Sequence, residues 1–140
     1  MSVKAFIDTN VLVYLFDARD PTKRARAAQL LQELSESGAS LVVSTQILQE
    51  AYVALTRKLG MSGADALAYL QMLEGASVRV HTIDTPLVWR AAERSAADRL
   101  SFWDALIVEA ALEADCERLY SEDLQTGRVF DTLGVVNPFV

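Results

Sequence analysis

Four acidic residues of this 140-residue chain occupy positions from which an α/β protein can present carboxylates to a metal ion. They are Asp8, Glu50, Asp104 and Asp123. Two follow apolar strand-like runs, one begins a helix and one lies on the helix after a strand, so a parallel sheet would bring them to one edge. Ionised carboxylates held close together raise one another's pKa and need cations beside them. An all-oxygen set of ligands suits Mg²⁺ or Mn²⁺.

Each acid also has an ordinary structural explanation. Asp8 follows Val3–Ile7, where an aspartate can cap the next helix or form a turn. Asp104 comes three residues after Ser101, which matches a capping box. The helix behind it, Ala105–Val108, is strongly apolar and should be buried, which would place Asp104 at a helix start beside the core.

The other two acids are less distinctive taken singly. Glu50 lies at the rim of an apolar helical stripe that includes Ile47, and an exposed surface glutamate is the simpler interpretation. After Arg118–Tyr120, both Glu122 and Asp123 follow the strand-like run, and their spacing alone does not choose between them.

Short strands and longer helices alternate along the chain. Strands are predicted where apolar and β-branched residues run together or alternate with polar ones: Val3–Ile7, Ser40–Val43, Val78–Thr82, Arg118–Tyr120 and Val135–Val136. Helices are predicted from capping residues and apolar spacing: Val11–Phe16, from Asp20-Pro21, from Ser44 or Thr45 to about Leu59, from Ser62, from Thr85-Pro86 to near Ser95, and from Ser101 through Leu112. This alternation predicts an α/β fold with a mainly parallel sheet, in one domain spanning residues 1–140.

Composition excludes several other kinds of protein. The single Cys116 and the single His81 exclude an internal disulfide, a cysteine zinc site and a histidine-rich metal centre. The net charge of −6 argues against a generic basic nucleic-acid binder, although setting the four acids aside raises it to −2. No apolar stretch reaches the length of a membrane span, and charged residues interrupt any signal-like segment at the N-terminus. We therefore expect a cytoplasmic protein.

Basic side chains on the predicted helices are candidates for gripping an anionic substrate. They are Lys23, Arg24, Arg26, Arg57, Lys58, Arg90, Arg94 and Arg99. Ordinary solvated helix faces are the simpler interpretation for most of them. Trp103, next to Asp104, could stack a base, although a core tryptophan is the more common outcome. The sequence assigns no substrate-binding residue.

Taken in order, the motifs resemble the PIN domain, and most closely the VapC toxins of toxin–antitoxin pairs. The resemblance rests on Ile7–Leu12, Glu50, Ser101–Ile107, Ser121–Leu124 and the terminal Val136–Phe139, and it spans nearly the whole chain. It implies a three-layer sandwich in which helices flank the central sheet. It also implies that Asp8, Glu50, Asp104 and Asp123 form the family's acidic quartet.

The resemblance implies further roles and partners. Asp8 and Asp104 match the most dependable metal ligands, whereas Thr9, Asn10 and Ser121 match positions that hold the quartet by hydrogen bonding. A protein of this kind is expected to be a Mg²⁺-dependent endoribonuclease that cuts structured RNA such as transfer RNA. It is expected to pair with a small VapB-like antitoxin and to form a homodimer.

Three other functions fit parts of the pattern. An inactive or weak PIN module would act only by binding a partner. A metal-dependent DNA nuclease would keep the fold and change the substrate. A phosphatase of the haloacid-dehalogenase type would use Asp8 as a nucleophile, but those enzymes need a second aspartate where this chain has Asn10.

Overall fold

A six-stranded sheet lies at the centre of the computed structural model, which describes residues 3–76 and 78–140. Its strands are β1 (Lys4–Ile7), β2 (Ser40–Ser44), β3 (Val78–His81), β4 (Arg118–Tyr120), β5 (Val129–Phe130) and β6 (Leu133–Val136). They lie in the order β3-β2-β1-β4-β6-β5. Every neighbouring pair is parallel except β5 and β6, which are antiparallel.

Strand β1 holds the middle of the sheet because its residues are apolar on both faces. Ala5, Phe6 and Ile7 are all buried, as expected of a parallel strand covered on both sides. Phe6 lies opposite Val42 of β2 on one side and Leu119 of β4 on the other. The carboxyl end of β1 therefore lies between the ends of β2 and β4.

Six helices are present in the described residues: α1 (Thr9–Tyr14), α2 (Pro21–Glu36), α3 (Thr45–Arg57), α4 (Gly63–Gly75), α5 (Thr85–Asp98) and α6 (Phe102–Glu113). Each begins after a residue whose side-chain oxygen accepts a backbone N–H: Asp8, Asp20, Ser44, Ser62, Asp84 and Ser101. These caps satisfy amides that a helix start leaves without partners.

The order of the strands divides the helices into two layers. From β1 to β2 to β3 the chain moves in one direction across the sheet, and from β3 it returns past β1 to β4. Because crossovers between parallel strands are right-handed, α2–α4 cover one face and α5–α6 cover the other. The predicted α/β fold, with a mainly parallel sheet between helical layers, is confirmed. No helix in residues 3–76 and 78–140 is both long and apolar enough to cross a bilayer.

The local predictions need correction at several points. Helix α1 spans Thr9–Tyr14 rather than Val11–Phe16. Helix α5 runs to Asp98 rather than to near Ser95, and it ends where Arg99 adopts a left-handed backbone with φ of 54°. Strand β5 was not predicted because two residues are too short to show a pattern. Helix α3 ends at Arg57, two residues before the predicted Leu59.

Candidate active site

The four acids predicted from the sequence line one cleft with a volume of about 510 Å³ at the carboxyl ends of the central strands. Asp8 follows β1, Glu50 lies on α3, Asp104 is in the first turn of α6, and Asp123 is in the loop after β4. The strand order runs β1-β2-β3 to one side of β1 and β4-β6-β5 to the other, and parallel α/β sheets form ligand sites at such a switch between neighbouring strands. The arrangement brings together residues that are up to 115 positions apart.

Asp8 forms the buried floor of this cleft, with 3% of its surface exposed. One carboxylate oxygen accepts the Thr9 amide at 2.7 Å, and the other accepts the Ser121 hydroxyl at 2.7 Å. Burial raises the pKa of Asp8 to about 6 and outweighs these two hydrogen bonds, which lower it, while the charges of Asp123 and Glu50 raise it further. Asp8 caps α1 and is at the same time a buried carboxylate at the floor of the cleft.

Asp123 lies in the cleft, whereas its neighbour Glu122 does not. The Asn10 amide donates to Asp123 Oδ2 at 3.0 Å, and burial together with the charge of Asp104 raises the pKa of Asp123. Glu122 turns away to accept hydrogen bonds from Tyr14 and Lys23, both at 3.0 Å. The structure thus separates the two acids that the sequence left together.

The carboxylate of Asp104 is available for chemistry. Its backbone amide donates to Ser101 Oγ at 3.1 Å, so Ser101 caps α6 as predicted. Within residues 3–76 and 78–140, nothing donates a hydrogen bond to the Asp104 carboxylate, so the reciprocal half of a capping box is not formed. Capping explains Ser101 and leaves the Asp104 carboxylate half-exposed and directed into the cleft.

Glu50 is exposed and is held by a residue that the sequence analysis missed. Gln46 is buried, with 4% of its surface exposed. Its amide nitrogen donates to Glu50 Oε1 at 2.8 Å and to the Trp103 carbonyl at 3.1 Å. Both partners are acceptors, so they fix which end of the Gln46 amide faces them. The available signal was the four-residue spacing of Gln46 and Glu50, which places them on one helical face.

Ser121 links two of the acids. Fully buried, it donates to Asp8 and accepts the backbone amides of Asp123 and Leu124 at 3.2 and 3.4 Å. Thr9 contributes its amide, while its hydroxyl is buried without a hydrogen-bond partner among the described residues. Two of the three residues named as supports, Asn10 and Ser121, therefore contact acids through their side chains.

The donor atoms of the cleft fit a divalent metal ion. They are carboxylate oxygens, together with a buried Thr9 hydroxyl that has no hydrogen-bond partner among the described residues. Asp8 is buried among them, and burial raises its pKa. Within the described ranges, no three side chains of the ligating types lie close enough to enclose an ion. Mg²⁺ is commonly held by one or two carboxylates, and water and substrate phosphates complete its shell. The residues present suit that mode of binding.

Four of the eight basic residues flagged in the sequence form ion pairs away from the cleft. Lys23 pairs with Glu122, Arg26 with Glu33, Arg90 with Glu113 and Arg94 with Glu109. Arg57 and Lys58, at the end of α3, line the cleft. Trp103 lines it too and is 62% exposed, so the expectation of a core tryptophan is wrong.

Comparison with known proteins agrees with the fold. Residues 5–129 match the profile of the family described as PIN domain. The structure is similar to VapC20 of Mycobacterium tuberculosis, a sarcin-ricin loop cleaving toxin, with 24% identity, a TM-score of 0.67 and coverage of 85% of this chain and 89% of that chain.

Two complexes are also similar in structure. A toxin–antitoxin complex from Klebsiella pneumoniae matches with 20% identity and a TM-score of 0.69, covering 96% of this chain and 97% of that chain. VapBC2 from Rickettsia felis, bound to a DNA fragment from its promoter, matches with 14% identity and a TM-score of 0.68, covering 96% and 98%. At these identities the likeness is one of fold. No curated protein matches the sequence.

Proposed function

This chain belongs to the PIN-domain family, and from that premise we propose that it is a metal-dependent endoribonuclease, the toxin of a VapBC-type toxin–antitoxin pair. The observation that carries the proposal is the meeting of Asp8, Glu50, Asp104 and Asp123 in one cleft. We further propose that residues 1–140 form a single PIN domain, since the larger apolar cluster includes residues from β1 to β6 and a smaller one joins α3 to α4 beside it.

Asp8 and Asp104 are the proposed principal ligands of Mg²⁺ or Mn²⁺, and Glu50 and Asp123 complete the shell directly or through water. When bound, such an ion acidifies a water molecule and offsets the charge that develops on the phosphate. The positive charge of such an ion would also favour the ionised form of Asp8, whose pKa burial raises.

The chain's own groups orient the carboxylates. Ser121 and the Thr9 amide fix the two oxygens of Asp8, Asn10 fixes Asp123, and Gln46 holds Glu50. A carboxylate of the cleft takes the proton of the attacking water. Because water attacks, and not the ribose 2′-hydroxyl, the expected products carry a 5′-phosphate and a 3′-hydroxyl.

Three solved relatives support the proposed partners. One is described as a sarcin-ricin loop cleaving toxin, one as a toxin–antitoxin complex, and one as VapBC2 bound to a fragment of its promoter DNA. We propose a structured RNA such as transfer RNA as substrate, a VapB-like antitoxin as inhibitor and a homodimer as the working form. The site of action is the cytoplasm, where such RNA is found.

The test compares the purified wild-type chain with Asp104→Asn on a structured RNA, with Mg²⁺, Mn²⁺ or EDTA. Glu122→Gln is the matched control, because Glu122 is an acid outside the cleft. Wild type and Glu122→Gln should cut only with metal, and Asp104→Asn should lose at least a hundredfold in rate. Sequencing of the RNA ends identifies the cut site and the 5′-phosphate.

Other results would redirect or refute the proposal. A 2′,3′-cyclic phosphate would rule out attack by water. Preferential cleavage of DNA, or hydrolysis of a phosphomonoester, would change the substrate class. Equal cleavage by wild type and Asp104→Asn would mean that the carboxylates of the cleft do not catalyse the reaction. Tight binding of an antitoxin without any cleavage of RNA would indicate a module that acts only by binding a partner.

A further inference from the structure

The cleft contains an aromatic ring and two cations that are not needed to bind the proposed metal ion. Trp103, Arg57 and Lys58 line the same cavity as the four acids. Val53 and Ile107 add apolar surface beside them. A cavity that needed only to hold metal would not require this second, apolar and cationic part.

Trp103 is exposed and yet held in place. Its side chain is 62% exposed, although burying a tryptophan is strongly favoured in water. Its carbonyl accepts the amide of buried Gln46 at 3.1 Å. The ring of Phe102 packs edge-on against it, with centroids 5.1 Å apart and planes at 79°. The indole is therefore a supported flat surface next to Asp104.

Arg57 and Lys58 place two cations at the wall of the cleft. Both are exposed, and neither forms an ion pair with another residue in the part of the chain that the structure describes. Two unpaired cations beside an acidic site are positioned for an anion that the acids alone would repel.

We propose that this part of the cleft is a nucleotide subsite, in which an unpaired RNA base stacks on Trp103 and the neighbouring phosphate contacts Arg57 and Lys58. Aromatic rings bind bases through their faces. A base inside a duplex has both faces covered by its neighbours, so only an unpaired one can use the ring. The subsite thus selects unpaired nucleotides next to the bond that is cut, and this inference rests on the proposed ribonuclease function.

The two tryptophans of the chain provide a matched fluorescence experiment. Trp89 on α5 is 63% exposed and lies outside the cleft, whereas Trp103 is 62% exposed within it. Trp89→Phe leaves Trp103 as the only indole, and Trp103→Phe leaves Trp89. Each variant is titrated with a single-stranded oligoribonucleotide and with the same strand in a duplex, in Ca²⁺, with RNA integrity checked on a gel.

We expect the single strand to quench Trp103 with saturation and to leave Trp89 unchanged. The duplex should need at least a tenfold higher concentration for the same quenching. Anisotropy of labelled RNA measures binding independently of the indoles. If RNA is bound and cut but the fluorescence of Trp103 does not change, the subsite alone is overturned. If RNA is neither bound nor cut, the proposed function is overturned as well. Quenching or a blue shift of Trp103 that grows with protein concentration, without RNA, would assign the surface to a second copy.

Kinetics and salt dependence give a second measurement. Trp103→Ala should raise KM for single-stranded RNA by about 10- to 100-fold with a small change in kcat, and Trp103→Phe should recover most of this because phenylalanine also stacks. Arg57→Gln and Lys58→Gln should each reduce the slope of log K against log salt concentration by about 0.7. Arg79→Gln is the control, since Arg79 lines a different depression. An unchanged KM in Trp103→Ala, or equal slopes in all variants, would refute the subsite.

Discussion

Replacing Asp8 with asparagine should stabilise the folded chain at high pH and destabilise it at low pH. Asp8 is buried, and its pKa rises to about 6 from 3.8 for an exposed aspartate. Between these values the folded chain holds a proton that the unfolded chain has released, so stability falls as pH rises. Above pH 6 the cost is fully present, at about 3 kcal/mol from 1.36 kcal/mol per pKa unit.

Asparagine removes this cost and loses one hydrogen bond. The two oxygens of Asp8 accept from the Thr9 amide and the Ser121 hydroxyl, and an asparagine has one oxygen to accept with. A lost hydrogen bond costs about 1 kcal/mol. The net expectation for Asp8→Asn is therefore a loss of about 1 kcal/mol at pH 4 and a gain of about 2 kcal/mol at pH 8.

Urea unfolding followed by circular dichroism at pH 4, 6 and 8, in EDTA, measures the difference. Asp17→Asn is the control with the opposite sign, because the hydrogen bond from Arg19 lowers the pKa of Asp17 and its loss should destabilise the chain at pH 8. Mg²⁺ should stabilise wild type and reduce the advantage of Asp8→Asn, since a ligand of the folded state raises its stability. If Asp8→Asn were no more stable than wild type at pH 8 in EDTA, the account of Asp8 as an uncompensated buried charge would be wrong.

Four further predictions concern residues that hold the cleft and residues of the core. Ser121→Ala removes a fully buried hydroxyl that joins Asp8 to the 123–124 turn, so it should cost about 1–3 kcal/mol in urea unfolding; no loss would mean that these bonds are not formed. Gln46→Ala should reduce the free energy of unfolding by about 2 kcal/mol and should lower kcat. Gln32→Ala is the control, because it removes a glutamine–glutamate pair of the same spacing on an exposed surface, and it should change the free energy of unfolding by no more than about 0.5 kcal/mol. Equal effects of the two substitutions would mean that Gln46 does not bridge Glu50 and Trp103. Leu119→Ala in β4, fully buried, should cost about 2–5 kcal/mol, and a smaller loss in thermal unfolding would contradict the central position of β4. Burial raises the pKa of Cys116 to about 12, so iodoacetamide should label it at pH 8 only after unfolding, as followed by mass spectrometry.

Features set by neighbouring residues could be predicted from the sequence. The caps at Asp20 and Ser101 depend on bonds that reach three residues along the chain. The central strand depends on a short apolar run. The convergence of the acids follows from their positions at strand and helix ends, because a parallel sheet brings these ends to one edge.

Features that depend on distant partners could not be predicted. Glu122 and Asp123 are alike in sequence, and they separate because Lys23, 99 residues away, binds one while Asn10, 113 residues away, binds the other. Gln46 gains its importance from the Trp103 carbonyl, 57 residues further along. The exposure of Trp103 likewise depends on how α6 meets α3, which no local pattern records.

The central position of β1 has a consequence for the chain while it is being synthesised. Asp8 leaves the ribosome before its partner Ser121 and before the strand β4 that pairs with β1, which both come 113 residues later. Contacts of such separation also form slowly, because closing long loops opposes them. A nascent or truncated chain that lacks β4 and Ser121 therefore carries an incomplete cleft, with the Asp8 carboxylate left without its hydroxyl partner.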